Sequence, residues 1–204
     1  MGEERSSYLS EIMERVKREY EVAREFRRRV QQPTGDVEVK IAYDMAERIE
    51  LLVGPPGVAA IIRELKQGCD PEIVPFRLID RLYSDSREPD PSKLTQILRA
   101  ALAMMTPPGT TAAPNEGIVG VKIKQNNDGT SYMAVYYAGP IRSAGGTEIA
   151  GSVVLADYLR KVAGLSPYRA TEEEVMRFIE EIRTYRRKVG NFQYNVPEDV
   201  LRYV

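Results

Sequence analysis

The chain of 204 residues is long enough to bury a core of its own, and its 29 basic and 30 acidic residues nearly cancel, so no overall field drives it toward nucleic acid or an anionic membrane. It contains one cysteine and no histidine, which excludes an internal disulfide, a zinc site built on Cys and His, and a hydrolase with a catalytic histidine. The sequence has neither a bilayer-spanning apolar run nor the core of a signal peptide, so we expect a cytoplasmic protein without a membrane partner.

An amphipathic N-terminal helix is predicted within residues 1–33. Leu9, Val16 and Tyr20 belong to an apolar stripe at helical spacing among glutamate, arginine and lysine. The pattern ends at a Pro-Thr-Gly break that follows two glutamines. Three arginines at positions 27–29 fall in the last turns, where positive charge suits the negative end of the helix dipole. A phosphate-binding patch is the alternative interpretation of these arginines.

Residues 36–105 are predicted to form a helical subdomain with a Gly-x-x-Gly corner. Helices flank residues 54–57, Gly-Pro-Pro-Gly, and this order resembles the signature of KH nucleic-acid-binding domains, whose loop grips a sugar-phosphate backbone. Because Pro55 and Pro56 have no N–H, a plain corner between two helices explains the same residues. Residues 92–105 are apolar on most of the helical circumference, which predicts a buried central helix.

Residues 106–116 contain three prolines and one glycine, so we predict a Pro-rich connector there. Residues 117–204 form the second part, a hairpin plus helices, which we expect to be truncated at its C-terminal end because the last helix has barely two turns. The fold class expected from these elements is α+β, predominantly helical with a β-hairpin or small antiparallel sheet packed on helices.

A β-hairpin opens this second part. Apolar residues alternate with lysines before the turn sequence Asn-Asn-Asp-Gly at 126–129, and the alternation resumes after it. Lys122 and Lys124 share one face of the first strand, and Tyr132 and Tyr136 share one face of the second. Basic residues beside exposed rings are how sheets hold single-stranded nucleic acid. A half-buried hairpin with solvated lysines is the alternative.

A glycine-rich loop joins the second strand to a helix that is predicted to end at Gly164. Beyond it, residues 171–174, Thr-Glu-Glu-Glu, match a capping box, although three glutamates could also be read as a metal cluster. In the helix that follows, Phe178, Ile179 and Tyr185 are among the residues expected on the buried side. Pro197 is predicted to start one more helix.

Residues 135–147, Val-Tyr-Tyr-Ala-Gly-Pro-Ile-Arg-Ser-Ala-Gly-Gly-Thr, closely resemble the N-terminal part of the large subunit of archaeal DNA polymerase D, also called DNA polymerase II. Further blocks around residues 44–65, 99–118 and 193–198 extend the resemblance over most of the chain. The resemblance implies a replicative DNA-directed DNA polymerase of two subunits, in which the large subunit transfers nucleotides and the small subunit is a proofreading 3′–5′ exonuclease.

The same resemblance implies that Mg²⁺ and structural Zn²⁺ are held by parts of the large subunit beyond residue 204. We therefore assign no catalytic residue, no metal ligand and no cofactor to this fragment. This agrees with the residues themselves, since two-metal phosphoryl transfer needs clustered carboxylates and the chain has no Asp-x-Asp pair.

The expected function is a non-catalytic N-terminal part that supports subunit assembly and DNA placement. Its expected partners are the small exonuclease subunit, the rest of the large subunit and DNA, which this region would contact weakly or indirectly. A standalone KH-like nucleic-acid-binding or scaffold module is the alternative. The candidate contacts to nucleic acid or to the catalytic core combine loop residues, whose amides and guanidinium can grip a phosphate, with the two hairpin lysines. They are Gly139, Arg142, Ser143, Gly145, Gly146, Thr147, Lys122 and Lys124. In the structural alternative, the glycines only permit a tight corner and Arg142 pairs with a carboxylate such as Asp157.

Overall fold

A computed structural model describes residues 2–29, 42–84, 88–106, 116–139, 141, 146–190 and 196–203. The chain divides into two compact units, residues 1–41 and residues 42–204. Eight helices and two strands lie in the described ranges: α1 (Gly2–Arg29), α2 (Met45–Leu52), α3 (Val58–Gly68), α4 (Val74–Tyr83), α5 (Pro91–Met105), β1 (Ile118–Gln125), β2 (Ser131–Tyr137), α6 (Gly146–Val162), α7 (Glu172–Lys188) and α8 (Glu198–Leu201). The predicted α+β class, mostly helical with one small antiparallel sheet, is confirmed.

The first unit consists of α1 in its described part. The helix occupies most of the predicted range of residues 1–33, and residues 30–33 lie outside the described residues. Its last turn carries the three predicted arginines, and the guanidinium of Arg29 pairs with Glu25 one turn earlier. The Arg29–Glu25 ion pair and the negative end of the helix dipole are enough to explain why the last turn is basic.

The second unit is organised around α5, as its apolar circumference predicts. Asp90 caps the helix by accepting hydrogen bonds from the amides of Ser92 and Lys93 at 3.3 and 3.0 Å. One side of α5 packs against α2, α3 and α4, and another side packs against α4, the hairpin and α6. Its buried residues are Leu94, Ile97, Leu98, Ala100, Ala101, Leu102 and Ala103.

The hairpin is attached to α5 by polar contacts as well as by apolar packing. The Arg99 guanidinium donates to the carbonyl of Ile118 at 2.6 and 3.0 Å, and the Thr95 hydroxyl accepts from the amide of Val121 at 2.9 Å. These bonds satisfy backbone groups on the outer edge of β1. In addition, apolar residues that precede and follow residues 106–116 in the chain pack in one common core. The division into a part at 36–105 and a part at 117–204 stays a prediction.

The helices after the hairpin follow their local signals closely. α6 ends two residues before Gly164, which has the left-handed φ of +68° that a helix stop requires. The capping box of α7 is confirmed, since Thr171 accepts from the amide of Glu174 and the Glu174 carboxylate accepts from the amide of Thr171. The helix predicted at Pro197 is α8, whose N-cap is that proline.

The predicted buried side of α7 is wrong for two of its residues. Ile179 is buried, but Phe178 and Tyr185 are 49% and 51% exposed. An amphipathic period identifies an apolar side of a helix, and it does not ensure that another element covers all of that side.

Among the residues that the structure describes, no helix is both long and apolar enough to cross a membrane.

Candidate nucleic-acid interface

One face of the hairpin gathers the lysines and tyrosines that the alternation pattern selects. Lys124 lies directly opposite Tyr132, and Lys122 lies opposite Ala134, so the strand register puts their side chains on one side of the sheet. The other side carries the apolar residues that pack on the core. Both lysines are exposed, and Tyr136 is 36% exposed. The predicted basic and aromatic face is therefore present and accessible.

Both lysines contact the ring of Tyr136. The Nζ atoms of Lys122 and Lys124 lie 5.0 and 5.6 Å from its centroid, within the range of cation–π attraction. Hydrogen bonding to the Tyr136 hydroxyl raises the pKa of Lys124, and the same hydrogen bond lowers the pKa of Tyr136. Two ammonium groups therefore lie over one aromatic ring on this face of the sheet.

A third segment, residues 165–170 after α6, extends this face. The amide of Ser166 donates to the carbonyl of Ser131 at 2.8 Å, and Ser166 forms a parallel bridge with Tyr132. This pairing brings the ring of Tyr168 to Tyr132, with centroids 4.8 Å apart and planes tilted by 48°. The Tyr168 hydroxyl bonds to Glu174, which raises the pKa of Tyr168. The face therefore carries a second aromatic platform, and Tyr168 is 51% exposed.

Asn126 and Asp128 in the hairpin turn hold this third segment in place. The buried amide group of Asn126 donates to the carbonyl of Pro167 at 3.0 Å and accepts from the amide of Arg169 at 3.0 Å. The Asp128 carboxylate accepts from the amide and the hydroxyl of Thr130 and pairs with Arg169 at 2.9 Å. Hydrogen bonding to Thr130 is the main reason why the pKa of Asp128 is lowered. The turn thus has a tertiary role besides reversing the chain.

Tyr168 and Arg169 are the residues of this face that sequence reasoning missed. They lie 36 or more positions after Tyr132, outside any local period. The only available signal was a tyrosine followed by an arginine just after a helix stop, in a segment with no helical pattern. Such a pair is common on protein surfaces, so its neighbours could not be predicted.

The structure describes only part of the predicted glycine-rich site. Arg142, Ser143 and Gly145 lie outside the described residues, whereas Gly139, Gly146 and Thr147 are exposed. A Cβ built at Gly139 or at Gly146 meets no atom within 4 Å apart from those of its chain neighbours and, for Gly146, of its own helix backbone, so no close approach to the other described residues requires glycine there. The tight contact in this corner lies instead at Gly117, where a Cβ would be 3.2 Å from Ile141.

Asp157, the carboxylate suggested as a partner of Arg142, already has two cationic neighbours. Oδ1 of Asp157 accepts from Arg160 at 2.9 Å, and its Oδ2 lies 3.2 Å from the Nζ of Lys161. Hydrogen bonding to Arg160 is the main cause of the lowered pKa of Asp157. Pairing between Arg142 and Asp157 stays a prediction.

At the Gly-x-x-Gly corner, residues 54–57, backbone amides that could bind a phosphate already donate to other groups of the chain. At the start of α3, the amide of Ala59 donates to the Glu50 carboxylate at 2.8 Å, and the amide of Val58 donates to the Pro55 carbonyl at 3.1 Å. A carboxylate therefore already lies at this helix N-terminus, where a bound phosphate would place its negative charge. The geometry favours the plain corner over a KH-type phosphate grip.

Metal ligands are not clustered in the described ranges. No group of three or more Asp, Glu, Cys or His side chains there is arranged to hold an ion. The described residues thus do not fit a two-metal centre, which needs several converging carboxylates, or a zinc module built from Cys and His. The expectation that this fragment binds neither Mg²⁺ nor Zn²⁺ stays a prediction.

Comparison with known proteins gives one consistent result. Residues 7–204 match the family model described as DNA polymerase II large subunit DP2, N-terminal. Among curated proteins, the chain is 43% identical over 200 residues to the DNA polymerase II large subunit of Methanothermobacter thermautotrophicus, covering 96% of this chain and 18% of that protein. It is 42% identical over 204 residues to that of Thermococcus kodakarensis, covering 98% and 11%, and 41% identical over 207 residues to that of Pyrococcus furiosus, covering 99% and 16%. The chain therefore spans less than a fifth of the length of these relatives.

Proposed function

Because this chain belongs to the family of N-terminal regions of the DNA polymerase II large subunit, we propose that it is a non-catalytic part of an archaeal replicative DNA polymerase and helps to place DNA. The whole protein would be a DNA-directed DNA polymerase that works as a heterodimer with a small subunit carrying the 3′–5′ exonuclease. The chain alone would incorporate no nucleotide. Mg²⁺ and structural Zn²⁺ would belong to other parts of the large subunit.

The observation that carries the role in DNA placement is the hairpin face. Lys122 and Lys124 supply positive charge on an exposed sheet, with the rings of Tyr136, Tyr132 and Tyr168 beside it. Lysines interact with phosphates, and exposed rings interact with bases, so one surface combines both kinds of contact. This combination needs no positive net charge on the chain, because it acts locally.

The residue types available in the sequence support the proposed non-catalytic character. Without histidine, and with one cysteine, the chain would have to build a catalytic metal centre from carboxylates, and no group of three or more is arranged to hold an ion in the described ranges. Its role in assembly would come from contacts of residues 139–147 with the rest of the large subunit and of the chain with the small subunit. These contacts would position the DNA-contacting face relative to the catalytic parts.

The experiment is a reconstitution of the complete large subunit with the small subunit. The double variant Lys122→Gln, Lys124→Gln should weaken primer-template binding and reduce the slope of log affinity against log salt by about 1.4 to 1.8, the loss expected for two phosphate contacts. The matched control is Lys66→Gln, Lys188→Gln, which removes two exposed lysines elsewhere and should leave both quantities unchanged.

Two results would contradict the proposal. An unchanged salt slope in the hairpin variant would remove the role of this face in DNA placement. Magnesium-dependent nucleotide incorporation by the purified 204-residue chain would overturn its non-catalytic assignment.

A further inference from the structure

We propose that the hairpin face recognises single-stranded nucleic acid, with unpaired bases stacked on Tyr136 and on the Tyr132–Tyr168 pair and with phosphates at Lys122 and Lys124. The inference rests on the proposed function, and it specifies which form of DNA this face would take. The face is defined as Lys122, Lys124, Tyr132, Tyr136 and Tyr168, and it is called the ring face below.

The first argument concerns what can contact the rings. Tyr136 and Tyr168 are 36% and 51% exposed on a sheet surface, so an incoming planar group can reach part of each ring. In a duplex the base faces are stacked on one another and are inaccessible, whereas an unpaired strand offers every base face to an aromatic ring. Duplex DNA would use the lysines and leave the rings without a role.

The second argument concerns spacing along the strand. Tyr132 and Tyr136 are four residues apart on β2, which separates them by about 13 Å along the strand. Tyr168 lies beside Tyr132 and enlarges one of the two platforms. Two separate platforms on one face are suited to an extended strand that runs along the sheet, and the lysines of β1 lie beside that path.

The third argument concerns charge. The Nζ atoms of Lys122 and Lys124 lie over Tyr136, so a base that stacks on this ring displaces them toward its own phosphates. At the second platform, Tyr168 bonds to Glu174, whose carboxylate also accepts from Thr171 in the capping box. That carboxylate repels phosphate, so the backbone of a bound strand follows the lysine side of the ring face.

The fourth argument is preorganisation. Asn126 and the Asp128–Arg169 ion pair attach the segment of Tyr168 to the hairpin turn before any ligand arrives. The Tyr132–Tyr168 platform therefore already exists in the ligand-free chain. Binding does not have to order this segment, which lowers the entropic cost of association.

The test measures the affinity of the 204-residue chain for a short oligothymidylate, which is unpaired, and for a duplex of the same length. Tyr136→Leu should weaken oligothymidylate binding about tenfold and leave duplex binding within about twofold, since one base–ring stack is lost. Tyr168→Leu provides the same test at the second platform and covers the case in which Tyr136→Leu does not fold. Tyr136→Phe keeps the ring and should restore most of the affinity.

The matched control is Tyr43→Leu, which removes a tyrosine that is 81% exposed and lies outside the ring face. It should leave both affinities unchanged. In addition, the ring resonances of Tyr136 should shift upfield when oligothymidylate binds, because a stacked base shields them, and duplex should not produce this shift.

The possible failures separate the inference from the proposed function. In one outcome, the leucine variants change neither affinity, but the double variant Lys122→Gln, Lys124→Gln weakens duplex binding. The face then contacts duplex phosphates, and only the single-strand inference is overturned. If the leucine variants weaken both forms equally, stacking does not discriminate, and the inference is again wrong. If no variant of the ring face changes binding of either form, both the inference and DNA placement by this face are overturned.

Discussion

The backbone amide of Arg169 donates to the side-chain oxygen of Asn126 at 3.0 Å, although 43 residues separate them. The same side chain donates to the carbonyl of Pro167 and to the hydroxyl of Thr130. One buried amide therefore joins the hairpin turn to the segment that follows α6. A turn residue of this kind contributes to the folded state much as a core residue does, through the tertiary hydrogen bonds of its buried side chain.

We predict that Asn126→Ala lowers the free energy of unfolding by about 1 to 2 kcal/mol, because it removes the hydrogen bonds of a buried side chain to the amide of Arg169 and the carbonyl of Pro167. Chemical denaturation measures the change. The neighbouring variant Asn127→Ala alters an exposed residue of the same turn and should change stability by less than about 0.5 kcal/mol. Equal effects of the two variants would show that the turn, and not the tertiary bonds, is responsible.

Gly117→Ala should destabilise the fold by about 1 to 2 kcal/mol, since its new Cβ would lie 3.2 Å from backbone and side-chain atoms of Ile141. Gly139→Ala, only two residues from Ile141, adds a methyl group with no described neighbour within 4 Å and should be tolerated. Thermal denaturation of the two variants compares them directly. A lower midpoint for Gly139→Ala than for Gly117→Ala would contradict this assignment of the tight contact.

Leu98→Ala in α5 should cost about 3 kcal/mol, because this side chain is fully buried and its removal leaves a cavity between α5 and its neighbours. The same substitution at Leu51, which is 43% exposed, should cost less than about 1 kcal/mol. Urea unfolding monitored by circular dichroism gives both values. Similar costs at the two positions would contradict the central place of α5 in the core.

Lys124→Gln should raise the pKa of Tyr136 toward the ordinary tyrosine value. The ammonium of Lys124 stabilises the phenolate of Tyr136 and so lowers its pKa, and an uncharged glutamine cannot do this. NMR titration of tyrosine ring carbons above neutral pH measures the shift. Lys66→Gln serves as the control and should leave the Tyr136 titration unchanged.

Local rules predicted those elements whose determinants lie close together in the sequence. The capping box at Thr171 and Glu174 depends on residues three positions apart, and the hairpin depends on a four-residue turn between alternating strands. α5 was predictable as central because apolar residues cover most of its surface, which only a buried helix can satisfy. Each of these signals can be read without knowing the rest of the fold.

The unpredicted features depend on which elements become neighbours. Phe178 and Tyr185 have the right period for burial, but their exposure is decided by what packs on α7. Likewise, Tyr168 joins the ring face only because the chain after α6 returns to the start of β2. The role of Glu50 at the start of α3 also depends on the angle between two helices, which no local spacing determines.

The bonds along both margins of the hairpin have a consequence for how this chain behaves in concentrated solution. Near the start of β1, the carbonyl of Ile118 is bonded by Arg99 and the amide of Val121 is bonded by Thr95, and at the start of β2 the carbonyl of Ser131 is bonded by Ser166. A strand whose outer groups are already occupied cannot readily serve as a template on which further copies add cross-chain ladders. Addition of a further strand is therefore disfavoured at the start of each edge strand of the hairpin.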